Sequence, residues 1–265
     1  MTESGHAHVT PGVEVPDGRN LAPLSPSTIA IHVTGAVANA VATLVALEFL
    51  VVHARVLLDG WPLALVAVAI LVGTFVSDLI SGLLHWAFDT WFNEGIAPLQ
   101  RMVFLVREHH LWPERIFNYS FRHEAGMLSW FGLLGAAPFY AAALLPSGSP
   151  GAIRYALAVT GVTISLQVVL MLEFHKVGHR RHHNPVVRGL QRLHLLLPTE
   201  EHLRHHAGEH DENYCLITGV ADMTLGRLGL FRGLERLVTA VFGAVPREDD
   251  HEWASRYGAS ATTRR

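Results

Sequence analysis

A chain of 265 residues, half of them apolar and only 16% charged, has the composition of a membrane protein rather than of a soluble domain. Its formal net charge of −3 provides no basic footprint for nucleic acid. A single cysteine, Cys215, excludes an intrachain disulfide and any thiolate-built metal site, so metal ligands must be nitrogen or oxygen.

Residues 1–27 are polar and rich in Pro and Gly, with no apolar core of the kind a secretory signal needs, and are expected to be a disordered tail. Four apolar stretches then follow, at 29–52, 61–84, 127–145 and 151–174, each near the roughly 20 residues that cross a bilayer. They predict an all-α integral membrane fold of two helical hairpins, separated by the loop 85–126. Of the 20 basic residues only Arg55 and Arg154 fall on the hairpin side, whereas Arg101, Arg107, Arg115 and Arg122 lie in the central loop and 13 more follow the fourth span from Lys176 onward. That asymmetry predicts cytosolic termini and a histidine-rich cytosolic cap. After the spans, 186–197 and 225–242 interleave Arg with Val and Leu, a pattern that fits helices in the interface plane and equally the packing of a cytosolic cap. The membrane domain is expected over 28–250, with 251–265 as a C-terminal tail.

The chain carries 18 histidines, and most sit in short clusters at the ends of the apolar stretches. His85 ends the second span, His109, His110 and His123 belong to the central loop, and His175-x3-His179 ends the fourth span. His202-x2-His205-His206, with His210, follows. On a helix His202, His205 and His206 share one arc and His175 lies one turn from His179, so neighbouring imidazoles at these spacings can bind one metal. A lone His is more often a satisfied polar residue than a ligand. The joint occurrence of both spacings on one face of a four-span protein points to a multi-metal centre, since imidazole suits iron as well as zinc and copper. His6, His8, His32, His53 and His251 lie outside the clusters, and His182 and His183 are expected to face solvent or headgroups. Asp78 and Glu173 are ionisable groups near span ends, where burial is costly and function is the default suspicion. Both are expected to accept the far N–H of a ligating imidazole, which fixes its tautomer. Asp89, four residues after His85, can do the same or bind metal directly.

With these surroundings the chain resembles the CarF/Kua family of lipid desaturases from about Asp78 to Asp250. The resemblance rests on Asp78-x2-Ser81-Gly82-x2-His85-Trp86-x2-Asp89-Thr90-Trp91, Arg107-Glu108-His109-His110 and Arg122-His123. It continues through His175-Lys176-x2-His179, Leu190-Gln191-x2-His194, His202-x2-His205-His206-x3-His210 and Gly243-x2-Pro246-Arg247. Trp is missing after Lys176, and Glu201 stands where a further His is expected. The resemblance implies a fold like that of membrane fatty-acid desaturases and a non-haem centre of two iron ions. It also implies O2 as co-substrate, a phospholipid substrate and an electron donor of cytochrome b5 or ferredoxin type. On this footing His85, His109, His110, His175, His179, His202, His205 and His206 are the expected ligands, with His123, His194 and His210 in reserve. The implied reaction is formation of the vinyl ether double bond of plasmalogens from alkyl ether phospholipids. The alternatives are acyl-chain desaturation and hydroxylation at the same centre. A metal transporter expects ligands near mid-bilayer, yet spans three and four hold no His, and the His-Glu-x2-His motif of a zinc hydrolase breaks at Met127.

Overall fold

The computed structural model describes residues 23–59, 62–96, 98–145, 151–207 and 210–255. The side chains of Asp59, Pro62, His123, Asp250 and His251 lie outside that description, as do residues 1–22 of the expected tail 1–27 and residues 256–265 of the expected tail 251–265. Among the described residues the protein is all-helical. Four helices are long and apolar enough to span a membrane: α1 (Pro26–Val52), α2 (Pro62–Thr90), α4 (Phe121–Leu144) and α5 (Gly151–Val169). Helix α1 starts where Ser25 Oγ accepts the Thr28 N–H at 3.2 Å and Pro26 supplies a preset φ at the first turn. The spans pack through small residues, because apolar side chains gain little by leaving lipid for another helix. A Cβ on Gly126 of α4 would come within 2.5 Å of His32 Cβ, and one on Gly35 of α1 within 2.5 Å of Trp130 Cδ1. Between α1, α4 and α5, Tyr140 donates to Ser165 Oγ at 3.0 Å and Ser165 donates to Asn39 Oδ1 at 3.1 Å, so these three polar side chains satisfy one another inside the bundle. Val37, Val41, Leu44 and Leu71 point outward as the lipid-facing surface.

Two boundaries differ from the sequence expectation, and both serve the cap. Helix α2 runs to Thr90, past the expected end at 84, so Asp78, His85 and Asp89 ride on one continuous helix. The fourth span, expected unbroken over 151–174, instead ends at Val169. Leu170 closes the turn with ψ near 3°, its carbonyl accepting Glu173 N–H at 2.9 Å, and α6 (Met171–His179) sets off as a separate helix.

The cap is built from α3 (Gln100–Leu111), α6, α7 (Pro185–Arg192), α8 (Thr199–Ala207), α9 (Leu230–Phe242) and α10 (Asp250–Ser255). Helix α3 lies inside what reads as a loop in the sequence, although Met102, Leu105, Val106 and His109 have helical spacing. The chain stays packed to Ser255, with Trp253 buried on Phe104. That last segment straps the cap to the span. Arg247 donates through Nη1 to the carbonyls of Phe88 (2.9 Å) and Phe92 (2.6 Å), its backbone N–H reaches Thr90 O at 2.7 Å, and Asp249 pairs with Arg107 of α3.

Candidate metal centre

Each histidine cluster reaches the same place because its helix ends there. The last turns of α2 bring His85 and Asp89, α3 ends on His109 and His110, α6 carries His175 and His179 one turn apart, and α8 carries His202, His205 and His206. Among the described residues two groups of converging ligand atoms result. His109, His175, His179, His202 and His206 form one; His85, Asp89, His110 and His205 form the other. All eight main histidines of the sequence reading are present, divided between them.

The geometry within each group fits a cation. In the first, the Nε2 atoms of His175 and His202 are 2.9 Å apart, those of His202 and His179 2.7 Å, those of His179 and His175 3.2 Å, and those of His206 and His202 3.1 Å. Nitrogens at right angles on a metal with bonds of about 2.1 Å lie about 3 Å apart, which is this spacing. In the second group, Asp89 Oδ2 lies 3.5 Å from His85 Nε2 and 3.7 Å from His205 Nε2, while Oδ1 lies 3.7 Å from His110 Nε2.

The far side of three rings is fixed by backbone. His85 Nδ1 donates to Tyr214 O at 2.9 Å, His109 Nδ1 to Leu105 O at 3.2 Å and His205 Nδ1 to Glu212 O at 2.8 Å. A proton held on Nδ1 leaves the Nε2 lone pair for the metal. The Nε2 atoms of His85 and His109 are buried with no hydrogen-bond partner, as a ligand's lone pair should be. Burial holds His109, His110, His175, His202, His205 and His206 well below the usual imidazole range, and neighbouring imidazoles push further the same way. His179 is pushed down to about 3, first by burial and then by His85. The rings are therefore neutral at neutral pH and need no proton removed before binding metal.

Two carboxylates expected beside imidazoles are elsewhere. Asp78 is fully buried, but its Oδ1 accepts the backbone N–H groups of Ile217 (3.1 Å), Thr218 (2.7 Å) and Gly219 (3.1 Å), and its Oδ2 accepts Ala221 at 3.0 Å. It clamps the turn after Tyr214 rather than a ring, helped by Ser81, whose Oγ accepts Leu216 N–H at 2.9 Å. Four parallel N–H groups attract a carboxylate more strongly than a single imidazole can. Glu173 faces away and pairs with Lys176 at 2.8 Å, whose ammonium also donates to Tyr119 O. Asp89 alone of the three stands among ligand nitrogens. Of the reserve histidines, His194 turns to Thr218 O at 3.4 Å, and His210 stacks on His110 with ring centroids 4.1 Å apart, so neither joins a group. The His123 side chain lies outside the described residues. His182 is exposed as expected, while His183 is half-buried with its Nε2 3.2 Å from Thr199 Oγ1 and belongs to neither group.

An apolar cavity of about 70 Å³ touches both groups through His85, His109 and His175. Leu84, Phe88, Met102, Leu105, Leu128 and Met171 supply much of its wall. Its lining also includes Tyr119, which the sequence did not single out, and Glu124, which the sequence offered only as part of the broken His-Glu-x2-His motif. Tyr119 donates to Glu108 Oε2 at 2.6 Å, and Arg115 donates to Glu108 Oε1 at 2.9 Å, so the fully buried Glu108 carboxylate beside His109 is satisfied. Burial first, and then the neighbouring Glu108 carboxylate, push the Tyr119 hydroxyl well above the usual phenol range, so it stays protonated.

Residues 74–249 match the model of the lipid desaturase domain. The plasmanylethanolamine desaturase of Myxococcus xanthus is 32% identical over 216 residues, covering 80% of this chain and 74% of that protein. Plasmanylethanolamine desaturase 1 of Mus musculus is 30% identical over 200 residues, 72% of each chain. The chloroplastic fatty acid desaturase 4 of Arabidopsis thaliana is 25% identical over 192 residues, 71% of this chain and 57% of that one. No solved structure gives a significant match to the chain.

Proposed function

Since the chain belongs to the lipid desaturase family and is thus a membrane oxidoreductase acting on lipid, we propose that it is an O2-dependent desaturase with two iron ions that makes the vinyl ether bond of plasmalogens. The observation that carries this reading is the pair of adjacent ligand groups opening onto one apolar cavity. One iron would be held by His109, His175, His179, His202 and His206, the other by His85, Asp89, His110 and His205. When bound, the irons would use two electrons to activate O2 so that it can break an unactivated C–H bond. The balance is one –CH2–CH2– unit, O2, two electrons and two protons giving –CH=CH– and two waters.

The chain's own residues do the rest. Leu84, Phe88, Leu128 and Met171 offer an alkyl chain an apolar slot, and a buried site keeps bulk water from the oxidant. Tyr214, Leu105 and Glu212 hold three imidazoles by their carbonyls, so the rings are oriented before substrate arrives. The electrons come from a soluble carrier of cytochrome b5 or ferredoxin type docking over the cap. The ligands' position at span ends, rather than mid-bilayer, disfavours a transporter.

The reaction has a direct readout. Cells supplied with alkyl ether lipid and expressing the protein should accumulate lipids lighter by two hydrogens, which mild acid cleaves to free aldehydes, and only in the presence of O2. Lipid mass spectrometry separates this from its rivals. An acid-stable double bond would assign acyl-chain desaturation, and a gain of one oxygen would assign hydroxylation.

The asymmetry of basic residues supports a cytosolic centre and cytosolic termini. Cysteines placed at Glu114, an exposed cap position, and at Leu145, exposed at the opposite end of α4, should label from opposite sides of a sealed membrane. The native Cys215 is buried and gives no background. Labelling of both positions from one side would overturn the four-span topology.

A further inference from the structure

Helix α2 is longer than a bilayer core is thick. Its 28 apolar-rich residues, Leu63–Thr90, measure about 42 Å against about 30 Å of hydrocarbon, so a span that enters near Leu63 leaves the acyl region near residue 83. Two contacts place the chain before and within α9 against this depth scale. Asp78, which binds the backbone N–H groups of 217–221, lies inside that edge. Gly82 lies at it, and a Cβ there would come within 3.1 Å of Phe231 Cζ, so the first turn of α9 crosses α2 at the boundary of the hydrocarbon. Val68, Val72, Phe75, Leu79 and Leu83 recur three or four residues apart and form one stripe of α2. Val68 and Val72 are exposed, as lipid-facing residues are, whereas Phe75, Leu79 and Leu83 pack on the cluster that Phe231 forms with Trp86, Tyr214 and Cys215. Helix α9 therefore takes the place of lipid along the last turns of the span.

The rest of α9 is divided by its own periodicity. Phe231, Leu234 and Val238 form the packed sector. Beside it, Leu237 and Val241 are 56% and 62% exposed, and Leu228, Phe242 and Val245 at the helix ends are exposed too. Arg232 and Arg236 share the opposite arc, both exposed. A contiguous apolar edge of this kind marks a contact surface, and its depth along α2 says with what.

We propose that α9 is seated in the membrane leaflet beneath the cap, Leu237, Val241 and Phe242 entering the acyl boundary while Arg232 and Arg236 take the phosphates of anionic phospholipids. A helix with apolar and basic faces sinks about 5–10 Å below the headgroups, and the long arginine stems keep their charges at the surface. The seat bears on the metal centre through Phe231, whose ring packs 4.8 Å from that of Tyr214, the residue whose carbonyl holds His85. It needs neither irons nor turnover, so it stands or falls apart from the desaturase reading.

The test uses the full chain in bilayer nanodiscs, with a fluorophore on Leu237→Cys, Val241→Cys or, as a control on the exposed cap, Glu114→Cys; the native Cys215 is buried. Both α9 positions are exposed and leave the packed sector intact, and either one alone decides the outcome. Phosphatidylcholine brominated on its acyl chains should quench the labels at 237 and 241 and spare the one at 114, and aqueous iodide should do the reverse. Brominated phosphatidylserine should quench the label at 237 more strongly than brominated phosphatidylcholine. Each arginine should favour the anionic lipid by about fivefold, so Arg232→Gln should cut the preference by about that factor and adding Arg236→Gln should cut it again. Quenching of both α9 labels by iodide and not by lipid overturns the seat and makes this a solvent-facing side of the cap. Protection from both quenchers overturns it in favour of a protein covering, such as a second copy of the chain. Equal quenching by the two lipids overturns the phosphate contact of Arg232 and Arg236.

Discussion

Purified protein should contain close to two irons per chain, and His205→Ala should lose both iron and activity. His205 is fully buried, its Nε2 stands 3.1 Å from His110 Nε2 and 3.7 Å from Asp89 Oδ2, and its Nδ1 is committed to Glu212 O. Alanine there removes a ligand and leaves a hole that His210 does not fill while it is stacked on His110. Turnover should fall by at least about 100-fold, because loss of a ligand exceeds the roughly 10 to 100-fold typical of partners that only orient one. Asp89→Asn keeps the shape but removes the charge and should lower iron occupancy of the second group before the first. His183→Ala should change neither metal nor rate, its ring being turned to Thr199. Elemental analysis and product assays on the same preparations decide this, and stoichiometric zinc with full activity would sink the di-iron reading.

Asp78→Ala should prevent stable folding, although Asp78 touches no ligand nitrogen. Its carboxylate accepts four backbone N–H groups from 217–221, and hydrogen bonds to a charged group contribute about 1.5–3 kcal/mol each. Even with strong non-additivity the loss is about 4–8 kcal/mol, comparable to the whole stability of an ordinary domain. Asp78→Asn retains one acceptor oxygen and should be intermediate. The expected result is low yield in detergent and a lowered melting temperature, with metal content falling only as the folded fraction falls. A protein that melts normally but has lost iron would instead give Asp78 a direct part at the centre.

Asp78 also marks where the sequence stopped being informative. Its type and its place near a span end flagged it as functional, which follows from the cost of burying charge in a membrane. Nothing in the sequence paired it with residues some 140 positions away, because hydrogen bonds to backbone N–H groups leave no trace in side-chain identity. The same limit hid the carbonyls of Tyr214, Leu105 and Glu212 that orient three imidazoles. Glu124 entered the sequence reading only as part of a broken His-Glu-x2-His motif, because a single acid beside His123 reads as part of a polar loop until α4 is seen to carry it into the cavity wall.

The sequence by itself determined the all-α membrane class, the four spans and the eight histidines, because bilayer thickness fixes helix length and helical periodicity fixes which imidazoles share a face. Tertiary structure alone decided how those histidines divide into five with no carboxylate and three with Asp89. It also decided that α6 breaks from α5 at Leu170, that Asp78 and Glu173 serve other partners, and that one cavity joins both groups. The physical reason is range. Hydropathy and periodicity are properties of adjacent residues, whereas a ligand set is a meeting of α2, α3, α6 and α8, and which atoms meet depends on where each helix ends and how closely its neighbours pack.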